Sequence, residues 1–203
     1  MKQISLLGCG KLGYPLAIEL LKQGHMIKGS TTTMEKMSKL KNAGIIPYLI
    51  NINKKMDLDF FNSDILVLTL PYKKSFSDPN IYKTQINSIC KDLESSPIKH
   101  LVFTSSSSIY PKDKKEYLPT STFLPATERA TILQNCENKI LSLKNISTII
   151  IRLGGIYGSN RNLKTSNKAR RLIKESDAIN LIIENIHKIG QNCIINGFKK
   201  III

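Results

Sequence analysis

One stretch of this chain has residue types and a spacing that suit a definite chemistry. Gly8-Cys9-Gly10-Lys11-Leu12-Gly13 follows the apolar run Lys2 to Leu7 without a break. Tyr14 to Gln23 then alternates apolar and polar residues at helical spacing until Gly24. Strand, tight glycine turn and helix, in that order, suit the pyrophosphate of a dinucleotide. Gly8 permits the sharp turn off the strand. Gly10, with no Cβ, lets backbone N–H groups come close to the anion. Gly13 lets the helix pack against the sheet, and Lys11 and Leu12 complete the turn. The helix N-terminus adds unpaired N–H groups and a partial positive charge.

A second group of polar residues follows the next short strand, His25 to Gly29. A site selective for NAD usually carries Asp or Glu there, to hold the ribose 2′-OH. Here Ser30, Thr31 and Thr32 stand instead, with Lys36 nearby, and the first acid is Glu35. Hydroxyls and a lysine suit a 2′-phosphate, which favours NADP over NAD. A Ser/Thr-rich helix cap would look the same.

The elements that must position these groups alternate along the chain. A basic helix is expected over Met34 to Asn42 and a short edge strand over Pro47 to Ile52. Asp64 to Leu70 is a continuous apolar run ended by Pro71, as in a parallel strand buried on both faces. The loop Pro71 to Pro79 lies beyond that strand's carboxyl end, where cofactors sit in open α/β sheets, so Leu70 and Pro71 join the candidate site. A helix over Ile81 to Leu93 leads to strand five, Lys99 to Thr104, with His100 as a residue at the start of the strand. Thr104 to Tyr110 ends it in a hydroxyl-rich turn, which adds Thr104. Lys112 to Pro125 is a polar connection, and Thr127 N-caps a helix running to Leu143. Thr148 to Leu153 is strand six, closed by Gly154-Gly155. Asn160 to Lys174 reads as basic and irregular, Ile179 to Ile189 as a helix, and Asn192 to Asn196 as a last strand. The expectation is an α/β protein, a doubly wound parallel sheet (Rossmann fold), forming one NAD(P)-binding domain over residues 1–203.

Composition narrows the class. The chain has 203 residues and no uninterrupted apolar stretch of membrane-spanning length. Its apolar N-terminal run is broken at once by Gly8, Gly10 and Lys11, unlike a secretory signal. Cys9, Cys90, Cys136 and Cys193 are scattered, with no metal-ligand spacing, and read as free thiols in the cytoplasm. No metal site is expected. The net charge of +15 raises the question of nucleic acid. The lysines are spread rather than gathered, however, and no aromatic-basic motif accompanies them.

Three stretches together resemble the extended short-chain dehydrogenase/reductase family, which contains NAD-dependent epimerases and dehydratases. They are the glycine turn, Val102-Phe103-Thr104-Ser105-Ser106-Ser107-Ser108-Ile109-Tyr110, and Ile151-Arg152-Leu153-Gly154-Gly155-Ile156-Tyr157-Gly158. The likeness runs over about the first 185 residues. The G-x-G-x-x-G spacing is similar to the atypical branch, often NADP-linked, whose substrates are undefined. The resemblance implies a serine that polarises the substrate oxygen, here Ser106. It also implies a Tyr and a Lys four residues later, on the helix beginning near Thr127. Counting back from Glu137, which resembles the family's helix glutamate, puts Arg129 at the tyrosine position and Leu133 at the lysine position. Neither can relay a proton at neutral pH. Tyr110-x-x-x-Lys114 is a loop, because of Pro111, and belongs to the serine motif. Other donors to consider are Tyr14, Tyr72 and Tyr157. The His usual near residue 183 is replaced by Ile183. The substrate-covering lobe is expected to be truncated. The resemblance therefore implies an NAD(P)-binding oxidoreductase-like protein with a degenerate active site and an undetermined small-molecule substrate. One alternative is a non-catalytic dinucleotide sensor or scaffold. Another is a β-hydroxyacid-dehydrogenase-like enzyme, which would leave the serine and Arg152 turns without a role.

Overall fold

Apolar runs of four to seven residues dominate the middle of the chain, and in the computed structural model they are strands of one sheet. The structure describes residues 1–54, 56–73, 78–113, 115–158 and 170–201. In chain order the elements are β1 (Gln3–Leu7), α1 (Gly13–Lys22), β2 (Met26–Thr31), α2 (Met34–Asn42), β3 (Ile46–Leu49) and β4 (Ile65–Leu68). Next come α3 (Ile81–Glu94), β5 (His100–Ser106), α4 (Glu128–Leu141) and β6 (Ser147–Leu153). The last are β7 (Gly155–Tyr157), β8 (Arg170–Lys174), α5 (Glu175–Ile186), β9 (Cys193–Gly197) and β10 (Lys199–Ile201).

Seven of these strands form a parallel sheet in the order β3-β2-β1-β4-β5-β6-β9. The order reverses between β1 and β4, which opens a crevice at their carboxyl ends. Alternation along each strand gives the sheet two apolar faces. On β4, Ile65 and Val67 join Leu16, Leu20, Ile179 and Ile182 of α1 and α5. Leu66 and Leu68 join Ile86, Ile89, Leu133 and Ile140 of α3 and α4 on the opposite face. Both faces are thus covered by helices, and the expectation of a doubly wound sheet holds.

Several boundaries differ from the sequence reading. β2 continues through Ser30 and Thr31, because Ser30 pairs with Tyr48 and Thr31 with Leu49 of the edge strand β3. β5 likewise runs on through Ser105 and Ser106, held by Arg152 and Leu153 of β6. The stretch read as irregular is corrected at its end: Arg170–Lys174 is β8, paired with β7 and β10 in a small second sheet. Residues 160–169 of that stretch lie outside the described residues. α5 begins at Glu175, four residues earlier than read, with Glu175 and Asp177 in the first turn where acids favour the helix dipole. Thr127 caps α4 as read, accepting from the Ala130 N–H at 3.2 Å. His100 is buried; its Nε2 donates to Asn185 O at 2.8 Å and its Nδ1 lies 2.8 Å from Ser147 Oγ. It ties β5 and β6 to α5. All four cysteines are free thiols. Among the described residues no helix is long and apolar enough to cross a membrane, and no cluster of ligands could hold a metal ion.

Candidate dinucleotide site

The glycine turn is fixed from both neighbouring strands. Ser30 of β2 accepts from the Gly8 N–H at 2.8 Å through its Oγ, and from the Cys9 N–H at 3.0 Å through its carbonyl. Thr69, just beyond β4, donates through Oγ1 to Gly8 O at 2.8 Å. Gly8 is in the left-handed region at φ 113°, and a Cβ there would sit 2.9 Å from Thr69 Oγ1. A Cβ on Gly13 would sit 2.2 Å from Gly8 O, so its lack of a side chain is required by packing. Gly10 is different: a Cβ there would meet nothing closer than Gly8 O at 4.0 Å. The fold itself does not require glycine at that position. Gly10 opens instead onto a cleft of about 500 Å³.

That cleft lies along the carboxyl ends of β1, β2, β4 and β5. Every candidate cofactor-binding residue read from the sequence lines it except Gly13, which is packed beneath the turn, and Ser106 and Arg129 line it too. Gly8, Gly10, Lys11 and Leu12 form one wall. Lys11, Leu12 and Gly13 lie at the N-terminus of α1, where backbone N–H groups face outward for a ligand. Ser30, Thr31, Thr32 and Lys36 form the end nearest β2. Ser30 and Thr31 are buried, while Thr32 and Lys36 are exposed. Leu70 and Pro71 lie beyond β4. Thr104 faces the cleft, but its hydroxyl donates to Leu68 O at 3.2 Å. Ser106 and Arg129 lie on the side toward β6.

The sequence reading missed part of this lining: Ile50, Ile52, Lys73, Tyr82 and Ile156. Lys73 was legible, since it lies in the loop after strand four already placed at the site. Tyr82 was not, because on α3 it reads as one more core position. Its hydroxyl donates to Leu70 O at 3.2 Å, and burial raises its pKa so far that it stays a neutral phenol. Cys9 is also buried, and burial pushes its thiol up to about 12, so no thiolate forms there at neutral pH. Of the tyrosines considered as donors, only Tyr72 lies both in a loop and in the cleft. Tyr14 is on α1, beneath Lys39, and Tyr157 is in β7.

Behind Ser106 runs a buried polar network. Ser105 donates to Glu137 Oε1 at 2.6 Å, and Arg152 gives Glu137 both Nε and Nη2, the latter at 2.7 Å. Arg152 Nη1 also donates to Tyr110 Oη at 2.7 Å. Burial opposes the charge on Arg152, but the hydrogen bonds and charge of Glu137 outweigh it and raise the guanidinium pKa. From β8, Arg171 donates to Ser107 O at 3.2 Å and Pro111 O at 3.0 Å. Its guanidinium lies against the Tyr110, Tyr117 and Phe198 rings. The serine turn is tied down by Glu137, Arg152 and Arg171, none of which lines the cleft. Tyr110 accepts from Arg152 and donates its own O–H to Asn196 Oδ1 at 2.8 Å, outside the cleft, so it is no proton donor to a ligand there; Lys114 lies outside the described residues.

Among the described residues four cations line the cleft, Lys11, Lys36, Lys73 and Arg129, and no carboxylate does. The site is built for an anion. Residues 3–118 match the family model of the NAD binding domain of 6-phosphogluconate dehydrogenase. The chain belongs to this NAD-binding family. The match takes in the glycine turn, β4 and the serine turn, and ends before Arg152. Protein YeeZ of Escherichia coli K12 is 30% identical over 167 residues, which are 79% of this chain and 61% of YeeZ. The chain thus spans less than two thirds of that curated relative. Among solved structures, MoeE5 in complex with UDP-glucuronic acid and NAD superposes with a TM-score of 0.83 at 13% identity, covering 99% of this chain and 78% of MoeE5. The UDP-N-acetylglucosamine 4-epimerase of Bacillus cereus gives 0.79 at 15% identity, covering 98% and 76%. At such identities these two structures establish the fold of this NAD-binding protein.

Proposed function

We propose that this chain is an NAD(P)-binding, oxidoreductase-like protein of the atypical short-chain dehydrogenase kind, favouring NADPH, with a fixed cation at the position of the proton donor. The observation that carries this reading is Gly10. It lacks a side chain where the fold would accept one, at the N-terminus of α1 and beside Lys11. A pyrophosphate close to the backbone accounts for all of these together. The turn at Gly10, Lys11 and Leu12 would hold that group, and Thr32 with Lys36 a 2′-phosphate. When bound, the nicotinamide supplies hydride exchange with a carbon bearing oxygen.

The chain's own residues restrict the chemistry open to that cofactor. Ser106 can hydrogen-bond a substrate oxygen, and the network through Ser105, Glu137 and Arg152 holds its strand end in place. Arg129 can stabilise negative charge but does not yield its proton, and Leu133 is a buried hydrocarbon. General acid catalysis typically contributes about 10² to 10⁴-fold, so turnover of ordinary carbonyl substrates should be slow or absent. A dinucleotide sensor is the second reading, favoured by the same Arg129 and Leu133.

The test is fluorescence titration with NADPH and NADH, then single-turnover NADPH oxidation with nucleotide sugars of the kind bound by MoeE5 and with small carbonyl compounds. NADPH should bind more tightly than NADH, with oxidation at least about a hundredfold slower than in enzymes that keep a proton donor. Failure to bind either dinucleotide would refute the assignment. Rapid turnover lost in Ser106→Ala would show that another group donates the proton.

A further inference from the structure

Arg129 differs from the other arginines around the cleft. Arg152 lays its Nε and Nη2 edge along the carboxylate of Glu137, and Arg171 is satisfied by the Ser107 and Pro111 carbonyls. Arg129 makes no ion pair among the described residues, and its Nε is buried without an acceptor. Its guanidinium lies against the Tyr72 ring, whose centroid is 4.9 Å from Cζ. It also sits in the first turn of α4, where the helix dipole disfavours a cation. A buried donor left unsatisfied is costly, and so is a positive charge at the positive end of a helix.

The charges in the cleft point the same way. If Lys11 serves the pyrophosphate and Lys36 the 2′-phosphate, Lys73 and Arg129 remain, with no carboxylate among the described lining residues to neutralise them. A dinucleotide does not account for these two.

Resting on the dinucleotide reading above, we propose that Arg129 is a substrate-binding residue that grips a carboxylate, so that the second ligand of this cleft is a carboxylic acid. Bound in the two-point manner that Arg152 uses on Glu137, the carboxylate gives Arg129 Nε its missing acceptor once the side chain turns toward it. Tyr72 supports the planar guanidinium from one side. This also explains why an arginine can stand at a proton donor's position: the residue there selects the substrate by charge.

The experiment uses the NADPH-saturated full chain and probe pairs that differ by a carboxylate: UDP-glucuronic acid with UDP-glucose, glucuronate with glucose, and pyruvate with pyruvamide. Binding is read by thermal shift and by the fluorescence of bound NADPH. In at least one pair the carboxylate should bind about tenfold more tightly or better, as expected of a charged hydrogen-bonded pair. Arg129→Met should erase that preference, while Arg129→Lys keeps part of it, retaining charge but not two-point geometry. NADPH affinity should change by less than about twofold in both variants, since the cofactor's anions are held elsewhere. Arg129→Gln serves in place of Arg129→Met if the latter does not fold. The proposal is overturned if no pair is discriminated, or if the preference survives in Arg129→Met. It is also overturned if glucose 6-phosphate and inorganic phosphate outcompete the carboxylates through Arg129, or if NADPH binding falls together with carboxylate binding. A carboxylate preference in a protein that binds no dinucleotide would uphold this assignment and sink only the cofactor reading.

Discussion

Gly10→Ala and Gly13→Ala should behave in opposite ways, although both remove a glycine of the same motif. At Gly13 the added methyl meets the Gly8 carbonyl at 2.2 Å and Leu6 Cδ2 at 2.7 Å. Overpacking of this kind costs about 1–3 kcal/mol, so the melting temperature should drop. At Gly10 the methyl enters open space, and stability should change by less than about 1 kcal/mol. The same methyl stands between the backbone and the anion, so NADPH affinity should fall by about tenfold or more, the worth of one charged hydrogen bond. Thermal melting and fluorescence titration of both variants check this. A Gly10→Ala protein that binds NADPH as wild type does would show that this wall does not meet the pyrophosphate.

The network behind Ser106 is a device of elements: β5 supplies Ser105, α4 supplies Glu137 and β6 supplies Arg152. Glu137 and Arg152 are 1% and 5% exposed, so the charge on each depends on the other. Glu137→Gln keeps the shape and an acceptor but leaves the Arg152 charge buried without its counter-ion, which should cost about 3 kcal/mol. Denaturant unfolding would measure it. Because the pair braces the end of β5, the variant should also lose protection from hydrogen exchange at Ser105 and Ser106, while the glycine turn, held by Ser30 and Thr69, keeps its protection. A loss of stability below about 0.5 kcal/mol would mean that the pair contributes little beyond packing.

At the scale of the whole molecule, the charge of +15 is diffuse along the chain, but among the described residues the cleft gathers four cations and no carboxylate. The proposed preference for NADPH would rest on exposed groups, chiefly Lys36 and Thr32. An exposed charge pair contributes about 0.2–1 kcal/mol, so the preference over NADH should not exceed about fivefold at low salt. It should shrink toward unity near 1 M salt, where the screening length falls to about 3 Å. Parallel titrations of the two dinucleotides across a salt series decide this. Equal affinities at low salt would remove Lys36 from the site.

By itself the sequence determined the features that depend on short stretches of chain. Apolar runs buried on both faces became β4, β5 and β6, the glycine spacing became the turn, and Thr127 became the cap of α4. These arise from local sterics and from the period of burial, which neighbouring residues carry between them. Arg129 and Leu133, which the resemblance puts at the tyrosine and lysine positions, lie four residues apart on α4 and both line the cleft, because that spacing shares one helix face. Tertiary structure alone decided which side chains meet. Ser105 reaches Glu137 across 32 residues, and Arg171 reaches the Ser107 and Pro111 carbonyls across 64 and 60. Ser30, read as a ligand for phosphate, spends its hydroxyl lone pair on the Gly8 N–H across the sheet. β8 forms only because β7 and β10 lie beside it. Such contacts depend on strand register and on the packing of segments far apart in the chain, and no local pattern encodes them.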